Sequence, residues 1–199
     1  MNQSQVLPTA DRSAAADTAN GGASQSDSER ILAAAAEILR QGELLLGSLP
    51  SGAFVQKLPV AFNASIGGHY RHCLDHFTSV LGGLDGALVD YDDRRRDSRL
   101  ETEPDFALAL TRRIRAGIER LEPSALWTPM VARCEVSYEH GNSPLSKSSL
   151  GRELVYVIAH AIHHYALISV MARILEVPLP PAFGVAPSTV AHLQSIASR

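Results

Sequence analysis

Six of the eight histidines in this 199-residue chain fall into two short clusters. The clusters comprise His69, His72 and His76, and His160, His163 and His164. Neutral imidazole is a good ligand for zinc, nickel, copper or iron, and it suits calcium and magnesium poorly. Two histidine clusters from distant parts of one chain therefore predict a site for a divalent transition metal.

The spacing within each cluster limits which rings can share one ion. At about 100° per residue of helix, His160 and His164 lie about 40° apart on adjacent turns, so both rings can reach one ion. His163 lies about 100° from His164 and fits a common ion least well. Positions 69, 72 and 76 share a face about 60° wide, so spacing leaves open which of these three rings is the ligand. Three protein ligands would leave a coordination position open for water, as in catalytic zinc sites.

Other residues near the clusters have weaker claims to chemistry. Cys73 follows His72 directly, so it points about 100° away from it and is best explained as a packed core thiol. Asp75 and Glu153 could orient ligating histidines through the second ring nitrogen. The chain contains neither a glycine-rich phosphate loop nor a recognisable Ser-His-Asp arrangement.

Hydrophobic spacing places both histidine clusters on helices. The first predicted helix begins at the capping box Ser26-Asp27-Ser28-Glu29 and runs to about Gly47. The second begins after a cap at Asn63 or Ser65 and ends at Gly82-Gly83. This second helix carries the first histidine cluster.

Two further long helices are predicted downstream. The third begins where Thr102 can act as cap and Pro104 occupies the first turn, a position that tolerates the missing N–H of proline. The last begins at a cap on Ser148 or Ser149 and runs through Leu175. This helix carries the second histidine cluster.

The connections between the helices differ in pattern. The segment Asp85–Glu101 is dense in Asp and Arg and is predicted to be a solvated loop. Residues Met130–Glu139 alternate between apolar and polar side chains, and a period of two is typical of a strand. The turn sequence His140–Ser143 follows, so we expect a hairpin with a short return strand before the last long helix.

Composition and length indicate one domain with a tail. A 45% hydrophobic content can supply a core, and 199 residues fit one such core. Residues 1–25 contain almost no large apolar side chains, so they are predicted to form a disordered tail. The predicted domain therefore spans residues 26–199.

Charge and cysteine usage argue against several classes of partner. The net charge of −3 gives no field that would attract nucleic acid or an anionic membrane. Two cysteines outside any Cys-x-x-Cys pair indicate a reducing compartment. The chain shows no signal-peptide pattern and no unbroken apolar run of roughly 20 residues. We expect a soluble cytoplasmic protein without nucleic-acid or membrane partners.

Both histidine segments resemble the DinB-like superfamily of metal-binding four-helix bundles. The first segment is Ser65–Phe77, with the sequence SIGGHYRHCLDHF, and the second is His160–Ala166, with the sequence HAIHHYA. The resemblance covers most of residues 28–176. It implies an all-α four-helix bundle, to which this chain adds a small β-hairpin insertion before the last long helix.

The resemblance also implies a set of ligands. In this superfamily one histidine of the second helix and a His-x3-His pair of the last helix form a three-histidine site. The matching residues in this chain are His72, His160 and His164. The histidines that this chain has in addition are His69, His76 and His163. Because imidazole titrates near working pH, each additional histidine is a candidate for a general base or a substrate contact.

Characterised members of the superfamily include thiol-dependent transferases and isomerases, and the bundle domain of iron-dependent sulfoxide synthases. The leading hypothesis is therefore a metal-dependent hydrolase or transferase that acts on a small-molecule substrate, with a small thiol as cosubstrate. One alternative is a non-catalytic metal- or ligand-binding bundle that acts as a homodimer. Another is a structural bundle with incidental histidines. An open coordination position would favour the enzyme, and a closed four-ligand site would favour the binding module.

Overall fold

The computed structural model describes residues 25–93, 97–139 and 143–198 of the chain. These residues form seven α-helices and three short strands. The helices are α1 (Asp27–Ser48), α2 (Ser51–Val55), α3 (Ile66–Gly82), α4 (Arg99–Thr102), α5 (Pro104–Glu119), α6 (Leu150–Ile174) and α7 (Pro187–Ala197). The strands are β1 (Leu88–Asp90), β2 (Pro129–Arg133) and β3 (Leu145–Ser149). The predicted mainly helical fold with a small β insertion is confirmed. The predicted tail lies outside the described residues apart from Gln25, as does the predicted turn apart from Ser143.

Side-chain caps fix where the long helices begin. Ser26 and Glu29 form the predicted capping box of α1, in which each side chain accepts a hydrogen bond from the backbone N–H of the other residue. Ser65 Oγ accepts the Gly68 N–H at 3.0 Å and caps α3. Ser149 caps α6 in the same way. Three of the predicted helix starts are therefore confirmed. The cap of α3 is Ser65 rather than Asn63, and the cap of α6 is Ser149 rather than Ser148.

The predicted cap of α5 is wrong. Thr102 is the last residue of the short helix α4, and its Oγ1 donates a hydrogen bond to the carbonyl of Ser98 at 3.0 Å. Glu103 is the N-cap residue instead, and its side chain makes no capping hydrogen bond. Pro104 does occupy the first turn, as predicted, where no N–H donor is needed.

The four longest helices surround a common core. Helix α1 packs against α5 and α6, and α3 packs against the same two helices. The largest fully buried side chains of this core come from α1, α2, α3, α5 and α6: Leu39, Leu45, Phe54, Ile66, Tyr70, Leu74, Phe77, Ile118, Leu150, Leu154, Tyr165 and Ile168. This packing sets α3 directly against α6, so the two histidine-bearing helices are neighbours.

Helix α6 is unusually apolar for its length. By length and composition it would be long and apolar enough to cross a membrane, a property shared by core helices of soluble proteins. Its buried side chains, including Leu154, Val157 and Ile168, lie in the core between the long helices. Its opposite side leaves Val155 and Val170 exposed.

The sheet is larger than predicted. Strands β2 and β3 pair antiparallel as the expected hairpin, and β1 pairs with β2 in parallel. Strand β1 and the first three residues of α4 lie inside the segment Asp85–Glu101, so the prediction of a loop there is wrong at both places. The predicted strand to Glu139 ends at Arg133, because side chains satisfy the backbone beyond it: Asp92 accepts the Glu135 N–H at 3.1 Å, and Glu135 accepts the Ser137 N–H at 2.9 Å.

Candidate metal centre

Histidines of α3 and α6 meet in pairs along the contact between the two helices. The Nδ1 atoms of His69 and His164 lie 2.9 Å apart, and the Nε2 atoms of His72 and His160 also lie 2.9 Å apart. Residue numbers rise along α3 as they fall along α6, so the helices run antiparallel here. Residues 69 and 164 therefore mark one end of the histidine cluster, and His76 and His160, with ring centroids 4.2 Å apart, mark the other.

His72, His76 and His160 lie close enough to bind one metal ion. One ring nitrogen from each lies within 4.8 Å of those from the other two. In tetrahedral zinc sites with Zn–N bonds of 2.0 to 2.1 Å, ligand nitrogens are about 3.3 Å apart. The 2.9 Å between the Nε2 atoms of His72 and His160 differs from that value by a few tenths of an ångström. The other pairs lie within 4.8 Å, so ring movements of up to about 1.5 Å would bring the three nitrogens to coordination distance.

A backbone hydrogen bond sets the tautomer of His76. Its Nδ1 lies 2.9 Å from the carbonyl oxygen of His72, and a carbonyl can only accept, so Nδ1 carries the proton. The lone pair is then on Nε2, which is the arrangement that metal-ligating histidines generally show. His76 is also 5% exposed. Its ring is thus oriented so that Nε2 could bind a borderline cation such as Zn²⁺.

His164 adjoins the same cluster from α6. Its ring centroid lies 4.6 Å from those of both His72 and His160. Burial, followed by the charges of His160 and then His69, lowers the pKa of His164 to about 3. The ring is therefore neutral at pH 7, which is the state that binds metal ions.

The remaining clustered histidines lie at the edge of the site. His69 is half-buried, and burial followed by the charge of His163 lowers its pKa. His163 is exposed, and its ring meets that of His164 edge-on at 5.2 Å. The structure thus brings five predicted site residues into one cluster and places His163 beside it. Whether His164 or His76 completes the ligand set with His72 and His160 stays a prediction.

Two tyrosines that sequence reasoning missed line the cluster. The Tyr91 ring stacks on His76 at 5.2 Å, and the Tyr156 ring stacks on His160 at 5.7 Å. Tyr156 lies four residues before His160 on α6, so helical spacing could have identified it. Tyr91 follows β1, which reaches the site through tertiary contacts with β2 and α3, so no local signal marked it.

Two of the weaker sequence candidates have clear surroundings. Cys73 is 2% exposed, and burial raises the pKa of its thiol, in keeping with a packed core residue. The carboxylate of Glu153 is buried, and it accepts hydrogen bonds at 2.5 Å from the hydroxyls of Tyr91 and Ser148. Glu153 therefore connects to the histidines through Tyr91.

The low pKa of His164 predicts acid sensitivity of the metal-free protein. The pKa of His164 is about 3 in the folded state and about 6.5 in the unfolded chain. Between these pH values the unfolded chain binds more protons than the folded one, so the free energy of unfolding falls as pH falls from about 6.5 towards 3. At pH 5 the free energy of unfolding is lower by at most about 2 kcal/mol, and by about 1 kcal/mol once solvent screening of this half-buried ring is included. Urea unfolding at pH 7 and pH 5, after removal of metal, measures it. His164→Gln should reduce the difference in the free energy of unfolding between pH 7 and pH 5 by about 1 kcal/mol. An unchanged difference would contradict the prediction.

Comparison with known proteins gives partial similarity. The chain is 35% identical over 107 residues to FK506-binding protein 5 of Rhizopus delemar. The aligned region covers 54% of this chain and 28% of that protein, so the chain spans little more than a quarter of that relative's length. No family model matches the chain, and no solved structure matches it.

Proposed function

We propose that this chain is a metal-dependent enzyme of the DinB-like superfamily that holds a divalent transition metal between α3 and α6. The observation that carries the proposal is the convergence of ring nitrogens from His72, His76 and His160 within 4.8 Å. Because His160 lies 88 positions from His72 in the sequence, an accidental cluster is a poor explanation. Imidazole nitrogen favours zinc, nickel or iron at such a site.

The arrangement of the long helices supports the same superfamily. Helices α1, α3, α5 and α6 pack in a ring in which each contacts two neighbours, as expected for a four-helix bundle. Metal sites in bundles are built from side chains on facing helices. The α3 and α6 histidines have that placement.

His72 and His160 are the ligands common to both possible assignments. The superfamily resemblance adds His164 as the third ligand, and the nitrogen distances favour His76. Three histidines would leave one tetrahedral position for water or substrate. A bound metal would lower the pKa of a coordinated water or thiol and so supply a nucleophile near neutral pH.

The other histidines would accept the proton that the coordinated water or thiol loses. His69 lies against His164, and its lowered pKa keeps its ring neutral and able to accept a proton near pH 7. Exposed His163 would exchange that proton with solvent. Because Tyr156 is partly exposed beside His160, it would contact a substrate that reaches the centre. By analogy with the superfamily, that substrate is an electrophile that a small thiol attacks.

Metal analysis of protein purified without a histidine tag tests the proposal. We expect about one zinc, nickel or iron ion per chain, either as purified or after reconstitution. The loaded protein should then conjugate a small thiol to an electrophile faster than chelator-treated protein. Metal content equal to that of the buffer after each reconstitution would overturn metal binding. Equal conjugation rates across a panel of thiols would overturn the thiol chemistry alone.

The alternative function is a binding module without turnover. It is favoured by the fact that His76 and His164 both lie beside His72 and His160, since four imidazoles would close the coordination shell. The Co²⁺-loaded protein distinguishes the two functions. A small thiol added to it should change its absorption spectrum if a position is open, and should leave the spectrum unchanged if four histidines close it.

A further inference from the structure

We propose that Tyr91 and Glu153 are positioning residues that hold His76 as a metal ligand, and that the three-stranded sheet serves to bring Tyr91 to the site. This inference rests on the proposed metal centre and deepens it. It would explain how His76, which the superfamily pattern does not include, becomes part of the ligand set.

The ring of His76 has two stacked aromatic neighbours and a hydrogen bond at one edge. Tyr91 stacks on one side with ring centroids 5.2 Å apart and planes 24° apart. His160 stacks at 4.2 Å with planes 25° apart. The His72 carbonyl accepts from Nδ1. Two stacked neighbours and a hydrogen bond from Nδ1 restrict the ring's orientation and leave Nε2 as the nitrogen that can bind a metal.

Tyr91 is itself fixed by a buried carboxylate. Its ring is 4% exposed, and its hydroxyl donates to Glu153 Oε2 at 2.5 Å. The second oxygen, Oε1, accepts from Ser148 Oγ at 2.5 Å and from Arg152 at 3.2 Å. A carboxylate that is 1% exposed is costly to bury unless donors surround it, and these three donors meet that requirement.

The network joins the sheet to the metal-bearing helix. Tyr91 directly follows β1, Ser148 belongs to β3, and Glu153 is in the first turn of α6, two turns before His160. Strand β2 pairs with both outer strands and fixes their spacing. Tyr91 is therefore tied to α6 through the sheet and one carboxylate, while β1 itself also packs on α3.

The test measures Co²⁺ affinity and the Co²⁺ absorption spectrum of untagged protein. Tyr91→Phe keeps the ring and removes the hydroxyl, and we expect about 10-fold weaker binding. Tyr91→Leu removes the stacked ring, and about 100-fold weaker binding is expected, within the range for groups that orient ligands. Glu153→Gln should resemble Tyr91→Phe. As a matched control, Tyr70→Phe removes another buried hydroxyl, bonded to Thr111 at 2.9 Å, and should leave the spectrum unchanged.

A double-mutant cycle separates positioning from general damage. If Tyr91 acts through His76, Tyr91→Leu should cause no further loss of Co²⁺ affinity in a His76→Gln background. Equal losses in both backgrounds would overturn the inference, as would an unchanged spectrum and affinity in Tyr91→Phe. Failure of the wild-type protein to bind Co²⁺ would instead overturn the metal centre and the inference with it. The two failures are thus distinguishable.

Discussion

His72→Ala and His160→Ala should each weaken Zn²⁺ binding by more than about 100-fold, beyond the 10- to 100-fold typical of outer-shell partners. Each removes one atom of the Nε2 pair that lies 2.9 Å apart across α3 and α6. Competition with a chromophoric chelator measures the affinities. His192→Ala is the matched control, because His192 is exposed on α7 and outside both clusters. Wild-type affinity in His72→Ala would contradict the proposed centre.

The same experiment decides the third ligand. If His76 completes the site, His76→Ala should lose zinc as severely as His72→Ala, and His164→Ala should lose it mildly. The superfamily resemblance predicts the reverse order. Severe loss in both variants would indicate a four-histidine site, which favours the binding module over the enzyme.

Gly42→Ala should lower the free energy of unfolding by about 2 kcal/mol, although alanine usually stabilises a helix interior relative to glycine. A Cβ on Gly42 would collide with the hydroxyls of Tyr70 and Tyr165. Neither hydroxyl can move away without losing a hydrogen bond. The Tyr70 hydroxyl is hydrogen-bonded to Thr111 Oγ1 at 2.9 Å, and the Tyr165 hydroxyl donates to the Ile38 carbonyl at 3.2 Å. Urea unfolding measures the loss.

Gly47→Ala on the same helix is the control for Gly42→Ala. A Cβ there meets no atom within 4 Å, so this change should leave stability unchanged or raise it by up to about 1 kcal/mol. Combining Gly42→Ala with Tyr70→Phe and Tyr165→Phe should recover part of the loss, because both colliding oxygens are gone. If Gly42→Ala were as stable as Gly47→Ala, the close packing of the two tyrosines on Gly42 would be wrong.

Local chemistry explains which parts of the fold were predictable. The starts of α1, α3 and α6 depend on serine side chains that act within three residues, so sequence spacing identifies them. Strand β1 has three residues, and its parallel partner begins about forty residues later. Its existence depends on tertiary pairing, and no local pattern could predict it. The Thr102 error has a local cause, because Thr102 ends α4 and its hydroxyl bonds the Ser98 carbonyl four residues earlier.

For the site, the sequence identified the histidines that converge, but not which histidine of α3 lies against which histidine of α6. Helical spacing allowed any of His69, His72 and His76 to face α6. The structure shows that all three do, because α3 and α6 run antiparallel with their histidines in pairs. Tyr91 and the donors around Glu153 come from separate strands and a helix end, and only the assembled sheet makes them neighbours.

His160 lies 88 positions after His72, and this separation determines when an ion bound by both rings could be acquired. In an unfolded chain, a metal held by both rings would have to close a loop of that length, at an entropic cost on the order of 4 kcal/mol. Ribosomes add about 5 to 20 residues per second, so His160 emerges roughly 4 to 18 s after His72. Helix α3 is made long before its partner exists. If the proposed centre forms, its ion would enter a chain whose last long helix is already complete, and metal binding would then mark a chain that has finished folding.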